Sequence, residues 1–359
     1  MSADPIDWAL AQRVAARVAG TNEFARSYHQ DSLSPDFDEL TAQAEELVAA
    51  ETALRSLVGP ARARVVTRGE WVGVNLASFQ RLLRPLLEKM GEEMSGPLAI
   101  PARAFGGVEI GTLLGWMSSR VLGQYDVMVA DDNPDDGDVV YYVGSNVLAI
   151  EKRYGFAPRE FRLWLALHEV THRAQFTGVP WMREYYVSLV KATMGSMNPN
   201  PSRFFEAIKR AISEVRAGQN PLLDAGIVGL LAGTDQRLAM DEIAGLMSLL
   251  EGHGDTTMGR AGHASIPSAD RFAKVLNARR GEVKGVARAV RVALGVEAKM
   301  RQYEEGERFI EAVERSKGRT FLDRAWASAD ALPKLHEIRD PDRWISRVSP
   351  LSPPALSRA

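Results

Sequence analysis

Residues 158–178 read PREFRLWLALHEVTHRAQFTG, and this stretch decides how the rest of the chain is read. Pro158 suits the first turn of a helix, where its missing N–H has no partner to lose. No breaker follows until Gly178, so the spacing predicts a helix through 158–177. Phe161, Leu165, His168, His172 and Phe176 share one face of that helix. The pattern predicts two histidines set inside an apolar stripe rather than on a wet surface. His168-Glu169-Val170-Thr171-His172 is the H-E-x-x-H pattern. Residues four apart lie about one turn apart on the same face, so both imidazoles can grip one Zn2+ from one side. Glu169 adjoins His168 and can reach a water rather than the metal.

A catalytic zinc takes three protein ligands and leaves one position open. The segment MDEIAGLMSLLEGHGD, residues 240–255, offers the third. Met240, Ala244, Met247, Glu251, Asp255 and Met258 fall on one face of a predicted helix. A lone carboxylate on an apolar stripe needs a cation or hydrogen-bond donors, and zinc would supply the cation. An ordinary ion pair to an arginine would serve Glu251 as well. His253 is the alternative ligand, and Glu242 a weaker one. Asp255, one turn after Glu251, is placed to orient a ligand imidazole. Gly252 and Gly254 weaken this helix, and close approach to the H-E-x-x-H helix would compensate.

Composition bounds the rest. The chain has 359 residues, long enough to bury a large core without staples. A net charge of −2 gives no global pull toward nucleic acid. The absence of cysteine removes disulfides, thiolate zinc sites and cysteine nucleophiles, and suits a reducing cytoplasm. The start, MSADPIDWALAQRVAARVAG, is not a secretory signal, and the longest apolar stretches are too short to span a bilayer.

Helical signals dominate, which predicts a mainly α fold with a small β hairpin or sheet, an α+β arrangement. Ser34-Pro35-Asp36 opens one predicted helix, closed by Gly59-Pro60, and another covers about 70–90. Residues 91–104 read as a Gly/Pro-rich loop. Gly107, Gly111 and Gly115 form a smooth helical stripe for close packing. Gln124–Ala130 and Val139–Val143 read as two strands of a hairpin. Their link, DDNPDDGD, fails as a calcium loop because Pro134 and Val143 stand where ligands are needed, and it reads as a solvated turn. A single domain over residues 1–346 is predicted. Residues 1–120 form its helical N-terminal region, 121–178 hold the strands and the H-E-x-x-H helix, and 179–346 form a helical C-terminal region. Residues 347–359 read as a loose tail.

LALHEVTHRAQF (165–176) together with SLLEGHGDTTM (248–258) resembles an uncharacterised bacterial zincin-like family, of the gluzincin type of metallopeptidase. Some of its members are labelled as inferred hydrolases or as associated with deazaflavin coenzyme biosynthesis. The resemblance extends through VLGQYD (121–126), GSNV (144–147), KMRQYEEGERFIEAV (299–313) and LPKLHEIRDPDRWISRV (332–348), so it covers nearly the whole chain. It implies a zincin-like fold with additional helices, and a zinc site of His168, His172 and Glu251 with Glu169 as the base. It also suggests, by analogy, that Val139–Val143 is an edge strand for an extended peptide.

The expected activity is zinc-dependent hydrolysis, of a peptide or protein substrate, with no nucleic-acid or membrane partner. Tyr303, one turn after Lys299, and His253 are the candidate donors to a developing oxyanion. The alternative is a non-catalytic protein that keeps zinc for structure or partner binding. Arg279, Arg280, Arg288 and Arg291 read as a solvated helix face or as internal ion pairs rather than a phosphate site, and Trp71, Trp164 and Trp344 as core or lid residues.

Overall fold

The computed structural model describes residues 4–20, 24, 27, 29–93, 99–127, 138–195, 234–281 and 296–351. The chain divides into two compact units, Met1–Gly178 with Arg260–Ala269, and Val179–Gly259 with Asp270–Ala359. The fold is mainly α with one small sheet.

The first unit contains α1 (Trp8–Ala19), α2 (Gln30–Thr52), β1 (Arg62–Val66), α3 (Arg68–Glu93), α4 (Ala99–Ser118), β2 (Gly123–Tyr125), β3 (Val139–Val143), α5 (Gly144–Tyr154) and α6 (Pro158–Thr177). Its three strands lie in the order β1-β3-β2. β3 pairs antiparallel with β2, as the hairpin reading expects, and parallel with β1. All five residues of β3 are buried. β3 is therefore the central strand, and its expected role as a substrate-pairing edge is wrong: β1 and β2 take up both of its edges. β1 is absent from the sequence reading. Its RARVV run alternates charged and small residues and buries only Val66, so it gives little apolar period to detect.

Other boundaries move for identifiable reasons. α2 starts at Gln30, before Pro35, because Leu33 belongs to the same buried row as Phe37, Leu40, Ala44 and Val48. It ends at Thr52, well before Gly59, with Ala53 in the left-handed conformation as its cap. α4 begins at Ala99, inside the segment expected to be loop. Pro101 stands in its first turn, where no backbone bond is lost. The glycine stripe packs on α1: a β-carbon at Gly107, Gly111 or Gly115 would come within 2.5, 2.4 and 2.6 Å of the Asp7, Ala11 and Ala15 carbonyl oxygens. Residues 128–137, which hold most of the acidic link, lie outside the described residues. Asp138, the end of that link, has φ +60 and is not a solvated turn residue, because it pairs with Arg173.

Two buried arginines fix α6. The Arg162 guanidinium donates to both carboxylate oxygens of Glu151, at 2.8 and 2.9 Å, and pairs with Asp36. Arg173 donates to both oxygens of Asp138 at 2.8 and 2.6 Å, to Glu45 at 2.6 Å and to the Gly59 carbonyl at 2.6 Å. These charged bonds raise the proton affinity of both guanidiniums against the opposing effect of burial, which is the largest single influence on each. In the sheet, Tyr142 stacks on Phe37 with ring centroids 3.8 Å apart and shares a 2.9 Å hydroxyl contact with Thr41.

The second unit contains α7 (Met182–Gly195), α8 (Thr234–Ala261, whose last residues fall in the first unit), α9 (Ala269–Gly281) and α10 (Val296–Lys317). The 3-10 turns Arg319–Trp326 and Ala329–Ala331 follow, then α11 (Leu335–Arg339) and α12 (Pro341–Val348). Trp344 anchors its core: it meets Phe309 and Phe321 edge-on and donates from Nε1 to the Ala331 carbonyl at 2.8 Å. Trp71 and Trp164 are likewise buried in the first unit, so all three tryptophans are core residues. The tail boundary expected at 347 falls inside α12, where Arg347 chelates Glu337 and Val348 is buried.

Gly252 of α8 is a close-contact glycine, but not toward the H-E-x-x-H helix. A β-carbon there would lie 2.3 Å from the carbonyl carbon of Gly306 on α10, and one at Gly306 would lie 1.9 Å from the Ser248 carbonyl oxygen. The two glycines let α8 and α10 cross backbone to backbone.

Candidate metal centre

Along α6, every residue from Phe161 to Phe176 is buried except His168 and His172, which are half-buried. Over these four turns the helix is thus sealed around its circumference and opens only at its two imidazoles. This sharpens the sequence reading, which set the histidines within the apolar stripe. Their rings stand one turn apart at right angles, with centroids separated by 4.6 Å. The His172 Nδ1 lies 3.0 Å from the Oε1 of Gln175, a side chain with no exposure.

Glu169 is 7% exposed and its carboxylate rests on β2. The Tyr125 amide donates to its Oε2 at 3.2 Å. A β-carbon at Gly123 would come within 2.7 Å of Oε1, so glycine is what leaves room for the carboxylate there. VLGQYD thus bears on the site through the backbone of its GQY strand. Burial pushes the Tyr142 phenol well above its ordinary value; the hydrogen bond with Thr41 works against this, while the negative charge of Glu169 adds to it. A buried carboxylate is costly unless donors or a cation stand close by.

In α8, Glu251 is 2% exposed. Among the described residues, α6 offers two imidazoles, His168 and His172, and α8 a buried carboxylate, Glu251, which together are donors of the kind that hold a metal ion. Two neutral imidazoles and one carboxylate are ligands that suit a divalent zinc.

The other predicted residues are placed as follows. The His253 ring meets Trp326 edge-on at 5.2 Å and is buried. Asp255 is half-buried on α8. Glu242 hydrogen-bonds Tyr185, whose phenol is pushed up to about 12 by burial and by the Glu242 and Asp330 charges. Tyr303 falls in α10, but its side chain and that of Lys299 lie outside the described residues, as do those of Arg279, Arg280, Arg288 and Arg291. Sequence reasoning missed Gln175, Gly123 and the Tyr125 amide. The one available signal for Gln175 was its spacing, three residues after a ligand histidine, where helical side chains meet.

A family model described as zincin-like metallopeptidase matches residues 6–345. The chain belongs to the zincin-like metallopeptidase family. A search of curated proteins finds no match. Among solved structures, the zincin-like chain is similar to a Chloroflexus aurantiacus protein described as a "putative hydrolase with a novel fold". The two share 29% identity over 97% of this chain and 100% of that one, with a TM-score of 0.72. Membership in the zincin-like family supports hydrolytic function and implies a divalent metal, typically zinc, which is what the donor set fits. Among the described residues, no helix is long and apolar enough to cross a membrane.

Proposed function

We propose that this chain is a zinc-dependent amide hydrolase of the gluzincin type, a metallopeptidase in which His168, His172 and Glu251 hold the metal and Glu169 is the base. The observation that carries the reading is that α6, between Phe161 and Phe176, opens at two histidines alone, with a buried carboxylate beside them. The burial of Glu251 on α8, as a carboxylate that needs a cation or donors, supports the third position.

Zinc, when bound, supplies a Lewis acid that polarises a carbonyl and makes water acidic near neutral pH. The chain's own residues do the rest. Glu169 takes a proton from the attacking water and hands it to the leaving amine. Its carboxylate is pre-aimed by the Tyr125 amide and by the flat seat at Gly123, so little reorganisation is needed on proton transfer. Tyr303 and His253 are the proposed donors to the developing oxyanion, and Asp255 the proposed orienting carboxylate. The absence of cysteine supports a cytoplasmic location.

The competing reading, a zinc site kept for structure, has no use for a base seated beside the ligands. Metal analysis and a peptide-library screen separate the two. Wild type should carry zinc and cleave, and His168→Ala should lose both. Glu169→Gln should keep zinc and lose activity by about 100- to 10,000-fold. Zinc retained in wild type and Glu169→Gln, with both equally inert on every peptide, overturns the hydrolase reading.

A further inference from the structure

We propose that Gln175 is a positioning residue for the metal site: its Oε1 holds His172 as the Nδ1–H tautomer and so presents Nε2 to the ion. The inference rests on the zinc reading above and adds to it a residue on neither the ligand nor the catalytic set.

The geometry is local to α6. Gln175 lies three residues after His172, where side chains of one helical face meet. Its Oε1 is 3.0 Å from the His172 Nδ1. A carbonyl oxygen only accepts, so in this contact the ring nitrogen must donate. A neutral imidazole carries one N–H; placing it on Nδ1 leaves the lone pair on Nε2. Gln175 has no solvent exposure, and its neighbours Arg173, Ala174 and Phe176 are also buried, which restricts any swing of the amide.

The choice of an amide has its own reason. Partners of metal-bound histidines are often carboxylates, which also raise the basicity of the ring. Here Glu169 and Glu251 are already buried at 7% and 2% exposure. A third buried carboxylate would add charge that one dication cannot offset. Glutamine supplies the acceptor and no charge.

The test measures zinc affinity of the full chain by competition with a chromophoric chelator, beside the thermal midpoint of the metal-free protein. Gln175→Met keeps the volume and removes the acceptor, and should weaken zinc by about 10- to 100-fold. Gln175→Glu restores an acceptor and should recover the affinity that the Met variant loses, while its added buried charge lowers the metal-free midpoint. A purely structural role would shift the metal-free midpoint and leave affinity untouched, and that result overturns the proposal. Gln175→Met binding zinc as tightly as wild type does so too. Should Gln175→Met fail to fold, imidazole 15N spectra of metal-free wild type decide instead: an Nδ1–H signature at His172 supports the proposal, and Nε2–H overturns it. Wild type that takes up no zinc defeats the metal reading itself, while the 15N spectra still report whether Gln175 sets the tautomer.

Discussion

Helices α6 and α8 carry the proposed ligands, yet different forces hold them. α6 is fixed by directional charge: Arg162 and Arg173, both nearly inaccessible, reach carboxylates on α2 and α5 and at the start of β3. α8 is fixed by contact: Gly252 touches the backbone of α10, and a β-carbon at Gly245 would lie 2.7 Å from the Pro333 carbonyl. Charged bonds resist rotation of a helix about its axis, because a guanidinium fork satisfies its partners in few orientations. Glycine contacts set a distance between backbones and say less about rotation. A helix that must aim two imidazoles needs the first device. A helix that brings one carboxylate on a flexible stem can use the second.

Breaking the charged device should cost most. Arg173→Met leaves Glu45 and Asp138, about one-fifth exposed, facing a buried space without their cation. Loss of one partner from a buried pair costs about 3–5 kcal/mol. Chemical denaturation should show that loss. Adding Glu45→Gln to Arg173→Met should recover some of it, since one stranded charge is removed. A loss under about 1 kcal/mol would mean that the arginine contributes little beyond packing.

The contact device should yield next. Gly306→Ala forces a methyl into the Ser248 carbonyl, and overpacking of this kind costs about 1–3 kcal/mol. Gly111→Ala is the matched control in the first unit, because it meets the Ala11 carbonyl at 2.4 Å. Both should lower the denaturation midpoint. Only Gly306→Ala should also weaken zinc uptake, since its crossing lies one residue from Glu251. Equal zinc affinity in the two variants would show that the α8–α10 crossing supports the fold and not the site.

What the sequence makes legible follows the same division. H-E-x-x-H is a local signal: two ligands and a base within one turn, in a segment whose start at Pro158 and stop at Gly178 are written in residue types. The stripe Gly107-Gly111-Gly115 announces close packing, because nothing else explains glycine on one helical face. Neither the stripe nor Gly252 names its partner, which lies far along the chain, so α1 went unforeseen and Gly252 was aimed at the wrong helix. β1 was missed because a short strand bearing two arginines has no apolar period. The edge role of β3 rests on family analogy alone, and the parallel neighbour that overturns it comes from that missed strand. Gln175 was missed because a glutamine in a helix is ordinary until its burial is known.

The contrast between the two devices is not absolute, and the smallest expected effect tests where they join. The Pro333–Leu335 backbone that receives Gly245 is itself tied by charge. Glu337 accepts the Lys334 amide at 2.9 Å and both forks of Arg347 at 2.7 Å, while Arg347 donates to the Leu332 carbonyl. Burial pulls the Glu337 carboxyl upward, but Arg347, the Lys334 amide and the His336 charge together hold it below its ordinary 4.5. A carboxyl depressed in the folded state stabilises fully above its unfolded value and loses that contribution as pH falls through its folded value. The seat of α8 should therefore loosen only in acid, below about pH 4.5. Fluorescence of Trp326 and Trp344, buried in the same unit, is the readout. Glu337→Gln should lower stability modestly at neutral pH and flatten its decline in acid. If wild type and variant lose stability in parallel below that pH, the glycine contacts of α8 stand without the charge beneath them.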